Sequence, residues 1–183
     1  MTNKLLLSMI TGLIFTLFVS LGDFIGFERN LENIQNNVLR IHIIANSDSE
    51  KDQSLKLKVR DEILSECSYL FEDTENISET ISIAKENLSL IEDIAKRVIK
   101  ENGFFYDVSC EVVKMDFDSK EYENFTMPKG FYNAIRIKIG KAEGKNWWCV
   151  MYPPLCVPAV SETEISEYLT DEEIDIITNP GKY

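Results

Sequence analysis

The sequence predicts an α+β fold: a small mixed or antiparallel sheet of about four strands, with two long helices packed on one face. Three observations predict it. Between residues 50 and 98 the apolar positions recur at helical spacing; from 105 to 152 the period falls to two; and a β-branched run, VLRIHIIA at 38–45, precedes the helices. In the order strand, helix, helix, strand, strand, strand, weak helix, the apolar stripes are buried most simply if both helices cover the same face.

The elements follow in chain order. MTNKLLLSMITGLIFTLFVSLG, residues 1–22, places Lys4 before an uncharged run that lasts until Asp23. A positive start followed by an apolar run is the pattern of a signal peptide, or of an N-terminal anchor if it is not cleaved. Residues 23–37 read as a polar connector with a short helix around Leu31 and Ile34, and residues 38–160 as the globular domain. Within that domain Ser49 and the acids beside it start a helix near Glu50, whose face runs through Leu55, Val59, Ile63, Cys67 and Leu70. Ile77, Ile81, Ala84, Leu88, Ile91, Ala95 and Val98 form the stripe of a second long helix, stopped at Asn102-Gly103.

Alternation of Tyr106, Val108, Cys110 and Val112 with polar neighbours then gives a half-buried strand, and DFDSKEYENFTMPKG is a polar excursion. Ile135, Ile137 and Ile139 mark another strand; GKAEG is a hairpin loop, and the chain returns along Asn146 to Tyr152. Residues 161–183 are an acidic tail with a short helix near Glu172 to Ile177. If the isoleucines face the helices, Arg40, His42, Arg136 and Lys138 point to the other, partly open face, as do Asp107 and Glu111. The adjacent Trp147 and Trp148 must point to opposite faces, so both faces need cover or one indole awaits a partner. Trp148, Val150 and Tyr152, the more apolar set, are assigned to the helices, which leaves Trp147, Cys149 and Met151 on the open face. Arg40, His42, Arg136 and Trp147 are therefore the candidate partner-binding residues.

Acidic residues outnumber basic ones 31 to 19, for a net charge of −12. Such a surface repels nucleic acid, and it repels anionic lipid outside the leader. In an exported chain disulfides persist, and the four cysteines Cys67, Cys110, Cys149 and Cys156 allow three pairings. Pro153-Pro154 favours a reversal that joins Cys149 to Cys156, with two buried free thiols as the alternative. One histidine and no C-x-x-C disfavour a metal site, and no cofactor is indicated. GKAEGKN is one spacer short of a phosphate-binding loop and lies between strands. His42, Ser47 and Asp48 include the residue types of a hydrolytic triad but lack a nucleophile elbow, and Asp116 and Asp118 lack the rest of a calcium loop. Asn-x-Ser/Thr sequons begin at Asn76, Asn87 and Asn124 and matter only in a glycosylating host.

Two stretches, VLRIHIIANSDSEKDQSLKLKVRD (38–61) and MPKGFYNAIRIKIGKAEGKNWWCVMYPPLC (127–156), resemble those of the stage II sporulation protein R family. The matching motif positions include Asn46, Ser47, Asp48, Asp52, Gly130, Asn146, Trp148, Pro153 and Pro154. The resemblance implies a non-enzymatic signalling protein of endospore formation, exported across the forespore membrane into the space between forespore and mother cell. Its implied partner is a membrane-embedded aspartic protease, stage II sporulation protein GA, which processes pro-sigma-E in the mother cell. The competing expectation, from residue types alone, is an exported cell-wall or peptide hydrolase using His42 with Ser47 or a carboxylate.

Overall fold

The computed structural model describes residues 2–122, 125–155, 166 and 168–182. Its elements are α1 (Thr2–Asn36), β1 (Leu39–Ile44), α2 (Glu50–Cys67), α3 (Ile77–Glu86), α4 (Leu88–Glu101), β2 (Val108–Phe117), β3 (Lys120–Glu121), β4 (Thr126–Met127), β5 (Gly130–Ile139), β6 (Asn146–Tyr152) and α5 (Asp171–Thr178). The four-stranded sheet has the order β2-β5-β1-β6. β1 runs parallel to β5, while β2 pairs antiparallel with β5 and β6 antiparallel with β1. The sheet is mixed, and the α+β expectation holds.

Helices α2, α3 and α4 cover one face. Leu55, Val59 and Ile63 of α2 and Ile91, Ala95 and Val98 of α4 meet Ile41, Ile43, Ile135 and Ile137 of the sheet. Each fully buried isoleucine contributes roughly 1.5–3 kcal/mol. Ser49 caps α2 by accepting from the Asp52 amide, so the helix starts where the sequence places it. The expected second long helix is two. Asn87 leaves helical geometry at φ −102 and ψ 10, and its side-chain amide donates to Ile83 O, ending α3 before α4 begins.

The opposite face is not open. A second apolar cluster fills much of it: Ile34 of α1, Val38, Phe117, Met127, Tyr132, Ala134, Val150, Leu155, Leu169, and Ile176 and Ile177 of α5. The polar excursion supplies part of this cover through the β3–β4 hairpin, where Tyr122 stacks on Phe125 with 4.7 Å between ring centroids. The capping box at Thr170 and Glu173 starts α5, which covers the same cluster.

α1 also departs from expectation. The leader and connector form one unbroken helix from Thr2 to Asn36. Its apolar part is exposed throughout, and it is long and apolar enough to cross a membrane by length and composition. Its last turns belong to the fold: Ile34 is fully buried, Gln35 donates to Lys129 O, and Asn36 accepts from Lys114 Nζ.

The two tryptophans take the opposite faces from those assigned. Register places Trp147 opposite Ile43 and Cys149 opposite Ile41, both on the helix side, and Trp148 opposite His42 on the other. Leu39 pairs with Tyr152 and Arg40 with Val150, leaving Met151 as a bulge; Met151 and Tyr152 therefore both enter the helix-side core. Both faces of β6 are covered, so its apolar set could not be identified from hydrophobicity.

Candidate interaction face

Asn46, Ser47, Asp48 and Asp52 come together between β1 and α2, where they lock the β5–β6 hairpin to the helix. Asp52 is buried at 5% exposure and accepts from Ser47 Oγ (2.5 Å), Asn46 Nδ2 (2.9 Å) and the Tyr106 hydroxyl (3.0 Å). Burial alone would raise its pKa, but these hydrogen bonds more than offset that and hold the carboxyl below its ordinary value. Asn46 Oδ1 accepts from Lys141 N, and Asp48 Oδ1 accepts from Lys145 N at 2.7 Å. Lys56 passes beneath, buried, and donates to Gln53 Oε1 and Lys145 O.

The close approach explains two glycines. A Cβ at Gly144 would lie 2.3 Å from Ser47 O, and one at Gly140, whose φ is +57, would lie 2.3 Å from Asn46 Oδ1. Gly130 leaves room for the Gln35 side chain, and Tyr152–Pro153 is a cis peptide. These motif residues build the domain.

Arg40 and His42 point away from the helices, as the alternation predicts, but they are not on the surface. Arg40 is 0% exposed and His42 4% exposed, because α1, α5 and the β3–β4 hairpin cover that half of the sheet. The expectation that they form an exposed partner-binding face is corrected. The Arg40 guanidinium carbon lies 4.1 Å from the Phe117 ring centroid, 5.0 Å from that of Tyr132 and 6.0 Å from that of Trp148. Arg40 Nη2 donates to the Tyr122 hydroxyl, which donates to Trp148 O. Nε and Nη1 have no partner among the described residues. The His42 ring stands edge-on to Phe117 and Trp148. Burial lowers the His42 pKa first, and the charges of Arg136 and Arg40 add to it; Asn146 opposes the shift without meeting hydrogen-bond geometry at either ring nitrogen.

Farther along the same face the sheet is less covered. Arg136 and Lys138 both donate to Glu111 Oε1, each about 2.9 Å away, with side chains 26%, 37% and 44% exposed in that order. The two cations hold the Glu111 carboxyl below its ordinary pKa. Arg136 is thus the one candidate cation that reaches solvent on this face. Trp147 is half-buried on the helix side, with the Arg60 guanidinium carbon 5.1 Å from its ring centroid. It does not share a surface with Arg136.

The hydrolytic set does not assemble: Ser47 is spent on Asp52, Asp48 on the hairpin amide, and His42 is enclosed by aromatic rings. Cys67 and Cys110 are free, with thiols pushed up to about 11 and about 12 by burial, which keeps them unreactive. Cys149 is disulfide-bonded. Cys156 and the sequon at Asn124 lie outside the described residues. Phe117, Tyr122 and Tyr132 around Arg40, and Tyr106 on Asp52, were not anticipated. The available signal was the pair Tyr122 and Phe125 inside an otherwise polar stretch.

The model of the family described as stage II sporulation protein R matches residues 35–162, from the end of α1 past β6. The chain belongs to the stage II sporulation protein R family. It is 36% identical over 140 residues to stage II sporulation protein R of Bacillus subtilis (strain 168), which covers 76% of this chain and 62% of that protein's length. The chain therefore matches less than two thirds of that relative. No solved structure matches.

Proposed function

We propose that this member of the family is an exported signalling ligand of endospore formation that acts by binding, without converting a substrate. The observation that carries this reading is the family match over the folded domain, joined to an apolar helix at its N-terminus. In this reading α1 delivers the domain across the forespore membrane into the space facing the mother cell, as a cleaved signal or a retained anchor. The receptor is the membrane-embedded aspartic protease, stage II sporulation protein GA. Higher affinity for its active state shifts the protease toward processing of pro-sigma-E. The pairing of Cys149 with Cys156 then holds the end of β6 in an oxidising compartment.

Co-expression of the full chain with that protease and pro-sigma-E tests the reading. Processing should require all three components, and the purified chain alone should hydrolyse neither cell wall nor pro-sigma-E. Processing that ignores this chain would overturn the activator role, and hydrolysis by the purified chain alone would reopen the hydrolase.

A further inference from the structure

Every buried side-chain nitrogen or oxygen without a hydrogen-bond partner among the described residues lies in one cluster: Arg40 Nε and Nη1, both nitrogens of His42, and Trp148 Nε1. Buried polar groups are nearly always satisfied, so five orphans together call for an absent partner. The cluster is compact, since Arg40 and His42 each lie 6.0 Å from the Trp148 ring centroid and share Phe117. Among the described residues nothing in it is anionic: Arg40 has no carboxylate there, and the cations of this face, Arg40, Arg136 and Lys138, are answered by Glu111 alone. In a chain of net charge −12, this is a local surplus of positive charge and unused donors.

We propose that this cluster is a docking site for a single carboxylate, an Asp or Glu side chain presented by the partner protein. The proposal rests on the reading of the chain as a ligand that acts by binding, and it names the chemistry of the contact. Register lays the residues out as a path along the sheet: Arg136 and Trp148 flank His42 on neighbouring strands, and Arg40 lies two residues farther in along β1. Arg136 guides the acid at the exposed end. Trp148 is the part-exposed wall, and it shifts to let the carboxylate reach its own indole N–H and the Arg40 guanidinium. A carboxylate accepts from both and neutralises the buried cation, which a neutral amide does not. A polyanion such as nucleic acid or a lipid surface is disfavoured by the acidic remainder of the chain.

The test uses the full-length chain in neutral detergent, with Trp147→Phe leaving Trp148 as the sole indole. The probes are capped Gly-Glu-Gly and capped Gly-Gln-Gly at constant ionic strength, read by Trp148 fluorescence and, in the unmodified chain, by thermal shift. The glutamate peptide should give a saturable response and the glutamine peptide none. Arg40→Met should weaken binding by about tenfold or more and Arg136→Gln by less. Equal response to both peptides, no response, or binding unchanged in Arg136→Gln and Arg40→Met would overturn the site. If Arg40→Met does not fold, Arg136→Gln and the peptide pair decide. A chain that binds the glutamate peptide yet triggers no pro-sigma-E processing would overturn the activator reading alone. One that triggers processing without binding it would overturn the site alone.

Discussion

Two buried polar clusters of this molecule are sealed to a similar degree and differ in how they are satisfied. Asp52 is 5% exposed and accepts three side-chain hydrogen bonds, from Ser47, Asn46 and Tyr106. Arg40 is 0% exposed and among the described residues has one, to Tyr122, while two of its nitrogens go without. Burying a charge is costly unless hydrogen bonds or an opposite charge replace the lost water. The Asp52 cluster meets that condition from within and joins β1, α2 and the β5–β6 hairpin. The Arg40 cluster is held together by aromatic packing and cation–π contact, which recover only part of the cost. The first therefore contributes to stability, and the second is retained at the expense of stability.

The largest effect expected from this contrast is at Asp52. Asp52→Ala removes the acceptor of three donors, each worth roughly 1.5–3 kcal/mol when the acceptor is charged, so the net loss should be about 3 kcal/mol after relaxation. Urea denaturation should show it as a lowered midpoint. Arg40→Met should go the other way. Replacing a poorly paired buried ion by an apolar side chain of similar volume commonly leaves stability unchanged or raises it by about 1–4 kcal/mol. A midpoint at or above that of the parent chain is expected. A fall of the size seen for Asp52→Ala would mean that Arg40 already has its counter-ion, and the comparison would collapse.

Much of the scaffold was legible in the sequence, for reasons that also mark where legibility stops. Ser49 and the acids after it are local signals, so the start of α2 at Glu50 was readable. β6 was bounded by the hairpin glycines and Pro153, and α5 fell within a residue of its expected ends. The break between α3 and α4 was hidden because Ala84, Leu88 and Ile91 keep one apolar stripe through it, while Asn87 interrupts only the backbone. Trp147 and Trp148 were exchanged because cover on the second face comes from distant parts of the chain. Ile34, Met127 and Ile177 meet there from α1, β4 and α5. The same long-range cover buried Arg40 and His42, whose outward parity was correct and whose exposure was not. For Asn46 and Asp48 the motif was visible but its purpose was not, since their partners Lys141 and Lys145 lie in the distant β5–β6 hairpin.

The smallest expected effect is the most diagnostic of the second cluster, because it reads charge directly. Among the described residues, the groups around the His42 ring are Phe117 and Trp148, with Arg40 on its own strand and Arg136 and Asn146 on the strands beside it. None is a carboxylate, so the folded state resists protonation and the His42 pKa lies below the unfolded value of 6.5. Between the folded pKa and 6.5 the unfolded chain binds more protons, so stability falls as the pH drops through that window, by at most about 1.4 kcal/mol per pH unit. Asp52 acts in a separate window. Its folded pKa lies below 3.8, so its contribution is present above that pH and is lost as the pH falls further. A thermal-melt series should therefore show one limb beginning near pH 6.5 and another below about pH 4. His42→Gln should flatten the first and spare the second. If a carboxylate peptide also flattens the first limb in the parent chain, the acid has reached the cations beside His42, and its negative charge has lifted the penalty on protonating the ring. If His42→Gln leaves that limb unchanged, the acid sensitivity lies elsewhere, and the two clusters do not differ in the way their hydrogen bonding indicates.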